Sequence, residues 1–192
     1  MHATDEAQLL DEICEIVVSV GGYPLAWVGY INESYKVVHL KAKSGVEDGY
    51  LERAQITWED SQRGCGPTGT AIKTGEPCVL RNILHSPAFS PWRDEAERHG
   101  FASAISLPLK SDAWTIGALT IYSQEPDAFD EKEVELLKRL AANLTYGIKA
   151  LRSEGERKQA EKELRWKTAF LEAQGNASVD GMTYTSITRR IL

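Results

Sequence analysis

A stripe of apolar residues with helical spacing stands at each end of the first 151 residues, and strand-like patterns fill the ground between. Leu9, Leu10, Ile13, Ile16, Val17 and Val20 form the first stripe; Val134, Leu137, Leu140, Ala141, Leu144, Ile148 and Leu151 form the second. Gly21-Gly22-Tyr23-Pro24 ends the first helix, because glycine closes a helix and proline cannot extend one. Asp130, with Glu133 three residues on, opens the last helix as an Asp-started capping box. Between them, 25–31 reads as a mostly buried strand and 35–42 as its half-exposed partner across the turn Asn32-Glu33-Ser34. A second hairpin is expected from 103–109 and 114–122 around Lys110-Ser111-Asp112.

The middle is irregular. Short helices are expected over 50–54 and 68–74, the second closed by Gly75 in a left-handed capping position. Residues 77–80 read as a short strand, and Ser90-Pro91-Trp92-Arg93 as a helix start with Ser90 as cap, running to Gly100. Antiparallel hairpins with helices at the ends give an α+β fold: a central antiparallel sheet, terminal helices on one face, and short helices and loops covering a cavity on the other.

Charge narrows the partners. The first 150 residues hold 14 basic and 22 acidic residues, so their field repels phosphate backbones and nucleic acid is not expected as a partner. No apolar run reaches the roughly 20 residues of a membrane span, and the acidic start lacks a signal-peptide core, so no membrane partner and a cytoplasmic location are expected. Cys14, Cys65 and Cys78 are then expected to be reduced thiols; their spacing matches no zinc site, and the four histidines form no metal pattern. His99 reads as a cap on a helix C-terminus. No phosphate-binding Gly-Lys-Ser/Thr loop or kinase glycine box is present.

Several blocks together resemble the GAF domain family. They are Gly64-Cys65-Gly66-Pro67-Thr68-Gly69-Thr70-Ala71 with Thr74-Gly75-Glu76-Pro77, Pro91-Trp92-Arg93-Asp94-Glu95-Ala96, Gly100-Phe101-Ala102-Ser103 running into Leu107-Pro108-Leu109, and Ile116-Gly117-Ala118-Leu119 through Ser123, closed by Phe129-Asp130-Glu131. The resemblance covers roughly residues 6–151 and implies a small-molecule-sensing regulatory domain of a bacterial sensor kinase or cyclase, with no catalytic role of its own. It also implies a homodimer and a downstream effector domain in the same parent chain. The domain is expected over 5–151, a helical signalling linker over 152–174, and a truncated PAS-like start or disordered tail over 175–192.

The ligand-binding residues expected are Trp58, Phe89, Trp92 and Phe101 as apolar walls, with Thr68, Arg93 and Ser103 as orienting polar groups. For Trp58 and Phe101 core filling under the loops is the favoured reading. The sequence does not identify the ligand or any cofactor. Cys65, between glycines and near Arg63, is the candidate for a redox-sensitive thiol. Three specialised GAF activities fit poorly. The chromophore-anchoring block of bilin receptors is missing, and the cyclic-nucleotide pattern keeps only Phe129-Asp130-Glu131, with Ser123 and Gln124 where Asn and Lys would stand. Free methionine-R-sulfoxide reductases carry a nucleophilic cysteine before the strand that matches 103–109; residues 95–101 here contain none. The remaining alternative is a ligand-free dimerisation module, which would fill its cavity with Trp58, Trp92 and Phe101 packed together.

Overall fold

The structure, a computed structural model, describes residues 5–46, 48–111 and 114–188. Helix α1 (Glu6–Ser19) is capped by Asp5, whose Oδ1 accepts from the Gln8 amide at 2.9 Å. Strands β1 (Leu25–Asn32) and β2 (Val37–Gly45) follow as the expected hairpin. Helix α2 (Tyr50–Ala54), helix α3 (Pro67–Thr74) and strand β3 (Cys78–Leu80) make up the first half of the middle segment. A 3-10 turn (Pro87–Trp92) and helix α4 (Arg93–Arg98) make up the second. Strands β4 (Ser103–Ser111) and β5 (Trp114–Ser123) form the second hairpin, and helix α5 begins at Glu131. The expected turn residue Asp112 lies outside the described residues.

All five strands form one antiparallel sheet in the order β2-β1-β5-β4-β3. Because strand side chains alternate between faces, each strand contributes to two separate cores. Ala26, Val28, Ile105, Leu107, Leu119 and Ile121 point to one face and pack against Leu10, Cys14 and Val17 of α1 and Leu137, Ala141, Leu144 and Ile148 of α5. Leu25, Trp27, Ala104 and Tyr122 point to the other face, beneath Tyr50, Phe89, Trp92 and Phe101 of the middle segment. This is the expected α+β layering, with terminal helices on one side and the irregular cover on the other.

The local signals resolve as follows. Gly75 caps α3 in the left-handed region at φ 67°, and its amide donates to the Ala71 carbonyl. Asp130 Oδ1 accepts from the Glu133 amide at 2.8 Å, but the Glu133 carboxylate accepts from the Tyr23 hydroxyl at 2.6 Å instead of closing the box. His99 sits at the C-cap of α4, its amide and Nδ1 both on the Glu95 carbonyl. Ser90 is not a cap: it lies inside the 3-10 turn, and its hydroxyl accepts from Gln62 Nε2 at 2.8 Å. Val20 is 81% exposed, because the helix ends at Ser19 and the stripe no longer faces the sheet.

The chain divides into two compact units, Met1–Lys149 and Ala150–Leu192. Within the second, the backbone stays helical to Thr188, which includes 175–188, where a PAS-like start or disordered tail was expected. Residues 189–192 lie outside the description. The helix there is laced with pairs such as Arg157–Glu154 (2.9 Å), Arg165–Glu161 (2.7 Å) and Lys167–Glu163 (2.7 Å). Such pairs, three or four residues apart on one helix face, favour the helix weakly, because solvent screens them. Trp166 and Phe170 stack at 5.4 Å, and Leu164 and Leu171 stand exposed.

Candidate functional site

The sheet face opposite α1 and α5 carries three buried hydroxyls in a tight group. Thr120 of β5 and Ser106 of β4 are paired strand neighbours with their oxygens 2.8 Å apart. Thr68, in the first turn of α3, comes down on them from above, 3.0 Å from Thr120 and 3.3 Å from Ser106. Each hydroxyl can donate and accept, so the triad satisfies itself inside an apolar layer where an unpaired hydroxyl would be expensive.

Aromatic rings surround this group. Phe101 stacks on Tyr122 at 4.8 Å, Phe89 tilts against Trp92 at 5.5 Å, and Tyr50 meets both Phe101 and Tyr122 at 5.8 Å. The Tyr50 and Tyr122 hydroxyls are 3.1 Å apart. Burial pushes the Tyr122 phenol up to about 12 although the hydrogen bond from Tyr50 acts to lower it, and desolvation likewise raises Tyr50 well above its ordinary value. Both therefore stay protonated, one donating to the other.

The cover is fastened at its rim. Trp92 Nε1 and Arg63 Nη1 both donate to the Ala54 carbonyl, at 2.6 and 2.8 Å, tying the 3-10 turn and the loop before α3 to the end of α2. Arg53 and Glu95 pair across the same seam at 3.3 Å, which holds the Glu95 carboxyl below the usual carboxylate range. Gly66 is required where it stands, because a Cβ there would lie 2.6 Å from the Trp92 ring.

Two spaces result. The small chamber beside Thr68, lined also by Phe89, Trp92 and Tyr122, has about 10 Å³ free, the lower limit for one water. Beside it a cleft of about 560 Å³ opens between β2 and the α2 end, walled by Trp27, Val38, Leu51, Gln55 and Thr57. Ile56 and Arg63 line both, so chamber and cleft adjoin at these two residues.

Of the expected binding residues, Thr68, Phe89 and Trp92 line the chamber, and Phe101 stands one layer behind, against Tyr122. The other three belong elsewhere. Trp58 lies under the Lys36 ammonium, 3.9 Å from its ring, because its amide is tied to the Lys36 carbonyl. Arg93 turns back to donate to the Ser86 carbonyl at 3.2 Å. Ser103 has the same strand parity as Ile105 and Leu107, hence faces the terminal helices, and its hydroxyl donates to the Glu125 carbonyl at 2.7 Å. Tyr50, Ile56, Arg63 and Tyr122 line the chamber without having been anticipated; only Tyr122 had a signal, being two residues from Thr120 on an alternating strand.

Cys65 is exposed in the loop before α3, and its carbonyl accepts from Thr70 Oγ1. Cys14 is buried, its thiol pushed up to about 12 chiefly by desolvation, and burial also raises Cys78. Among the described residues no His, Cys, Asp and Glu side chains gather closely enough to hold a metal ion, and no helix is long and apolar enough to cross a membrane.

The family model of the GAF domain matches residues 3–149. A comparison with curated proteins finds no match. Among solved structures, the chain is similar to the GAF domain of a phosphoenolpyruvate-protein phosphotransferase from Coxiella burnetii, at TM-score 0.67 and 19% identity, over 80% of this chain and 88% of that one. It is also similar to the free methionine-R-sulfoxide reductase from Neisseria meningitidis in complex with its substrate, at TM-score 0.66 and 22% identity, over 79% and 83%. The second GAF domain of DevS from Mycobacterium smegmatis aligns at TM-score 0.60 and 16% identity, over 80% and 99%. These likenesses concern the fold.

Proposed function

The chain belongs to the GAF domain family, and from that premise we propose that it is a regulatory, non-enzymatic sensor that takes up a small molecule where chamber and cleft meet. The observation that carries this reading is the shared boundary: Ile56 and the exposed Arg63 line both the aromatic chamber beside Thr68 and the open cleft of about 560 Å³, so a ligand that displaces them would occupy both. A ligand there meets Thr68, which is hydrogen-bonded to Thr120, whose strand neighbours Leu119 and Ile121 pack on the other face with Leu137, Ala141, Leu144 and Ile148 of α5. Such a ligand biases the domain only by binding its two states unequally. The proposed output is a homodimer whose paired α5 helices carry that bias to an effector domain of the same parent chain.

A second reading, a ligand-free dimerisation module, is favoured by the chamber's residual volume of about 10 Å³. A redox role rests on the exposed thiol of Cys65. Reductase chemistry is not proposed, because residues 79–192 contain no cysteine to serve as nucleophile ahead of β4.

Native mass spectrometry of the purified chain, with and without small-molecule extracts, tests the proposal. A dimer that gains one small mass per protomer, and loses it on Trp92→Ala while staying folded, supports a sensor. A dimer that never gains mass supports the structural module; a monomer under all conditions overturns the paired-helix output. Thiol-dependent turnover of free methionine sulfoxide would overturn the non-enzymatic assignment.

A further inference from the structure

Hydrogen-bond bookkeeping around the chamber closes everywhere but at one pair of side chains. Thr68, Ser106 and Thr120 donate and accept among themselves, and the Trp92 indole N–H ends on the Ala54 carbonyl. Tyr50 and Tyr122, which also line the chamber, differ. They are 1% and 2% exposed, and their hydroxyls bond to each other. Only one proton can lie between two oxygens 3.1 Å apart, so whichever tyrosine donates, one phenolic proton has no acceptor among the described residues.

Trp27, equally buried, adds to the imbalance. Its indole N–H comes near enough to the Tyr122 hydroxyl to favour that group's ionised form, yet completes no hydrogen bond. Closing that contact would still leave one proton over, because the indole brings a donor and no lone pair. A buried donor without an acceptor is costly, and the free space beside this one, about 10 Å³, suits a single oxygen atom.

The adjoining cleft of about 560 Å³ suits a larger body, with Trp27, Val38, Leu40, Leu51 and Ile56 among its walls. Two carboxylates, Glu52 and Glu59, and one guanidinium, Arg63, line it alongside His39, so no surplus of positive charge draws an anion in. The desolvation that raises both phenols opposes a charged group in the chamber as well.

Resting on the sensor reading of this same site, we propose that its ligand is an uncharged molecule with an apolar body in the cleft and one acceptor oxygen, a carbonyl above all, in the chamber. That oxygen takes the free proton of the Tyr50–Tyr122 pair. A molecule of similar size that offers only donors leaves this proton unpaired and buries a further unmet donor, so the site selects by hydrogen-bond polarity.

The test is equilibrium dialysis of the full chain against three probes: coumarin, an uncharged two-ring carbonyl compound; indole, of like size with an N–H and no oxygen; and coumarin-3-carboxylate, which adds a charge. Coumarin should bind saturably and about threefold to tenfold tighter than either of the others, the ratio that one net hydrogen bond supplies. Tyr50→Phe/Tyr122→Phe should abolish the preference for coumarin over indole. That variant should stay folded, because removing both partners leaves neither oxygen orphaned. Circular dichroism checks this, and the wild-type ratios decide the matter if it is not folded. Indole or the carboxylate binding as tightly as coumarin overturns the proposal and leaves the sensor reading standing. So does a preference for coumarin that persists in the folded double variant, which would place the oxygen elsewhere. Saturable binding of none of the probes removes the cleft as a small-molecule site and overturns both.

Discussion

Trp92 Nε1 donates to the Ala54 carbonyl at 2.6 Å across 38 residues of sequence, and the same oxygen also accepts from Arg63. This one carbonyl therefore holds the two halves of the cover together over the hydroxyl triad. Trp92→Phe should lower stability by about 0.5–1.5 kcal/mol, because Arg63 keeps the oxygen satisfied. Trp92→Ala should cost about 3–5 kcal/mol, since a buried ring is lost as well. Urea unfolding of both variants measures the difference, and equal losses would mean that the indole N–H is not a fastener.

Gly66→Ala tests the same wall from the other side. The new methyl meets the Trp92 ring at 2.6 Å, and the variant should lose about 1–3 kcal/mol through overpacking. Pairing it with Trp92→Phe in a double-mutant cycle should return a coupling term, whereas simple additivity would show that the ring has room to move.

In the triad, Thr120 is the hub, with contacts of 2.8 and 3.0 Å, while Thr68 reaches Ser106 at only 3.3 Å. Thr120→Val should therefore cost about 1–3 kcal/mol by loosening both partners, and Thr68→Val nearer 1 kcal/mol, because the Ser106–Thr120 bond survives. Chemical denaturation reads the order of the two; a reversed order would place the hub elsewhere.

Alkaline pH should weaken the fold through the buried tyrosines. Desolvation raises Tyr122 from 10 to about 12 in the folded state. A raised group contributes its stability below the unfolded value and loses it as pH rises through the folded value. Stability should thus hold below pH 10 and fall between about pH 10 and 12. Tyr122→Phe should flatten that decline in unfolding midpoints, and an unchanged slope would assign it to other groups.

The thiols should react in order of exposure. Cys65 is exposed, Cys78 is half-buried with a raised thiol, and Cys14 is buried and pushed up to about 12. Mass-spectrometric timing of iodoacetamide labelling at mildly alkaline pH should show Cys65 first and Cys14 last. Early labelling of Cys14 would mean that α1 opens readily from the sheet.

Much of the scaffold was written locally. The helix stripes, the period-two strands, Gly75 as a left-handed cap and Asp130 on the Glu133 amide all depend on residues within a few positions of one another, so the sequence alone determined them. The GAF family was legible for the same reason, as an ordered series of short blocks. The site was not local. Trp58 was expected in the pocket, but a backbone tie to Lys36 draws it away; Ser103 carries the expected hydroxyl, but parity turns it to the helix side. Alternation showed that Ser103 and Ala104 face opposite ways, but only the packing of α1 and α5 decided which face was which. Tertiary structure alone likewise brought Arg63 and Trp92 onto one carbonyl and set the Tyr50 and Tyr122 hydroxyls side by side. Periodicity records which side of its own element a residue occupies, whereas a site depends on what the rest of the chain places opposite that side.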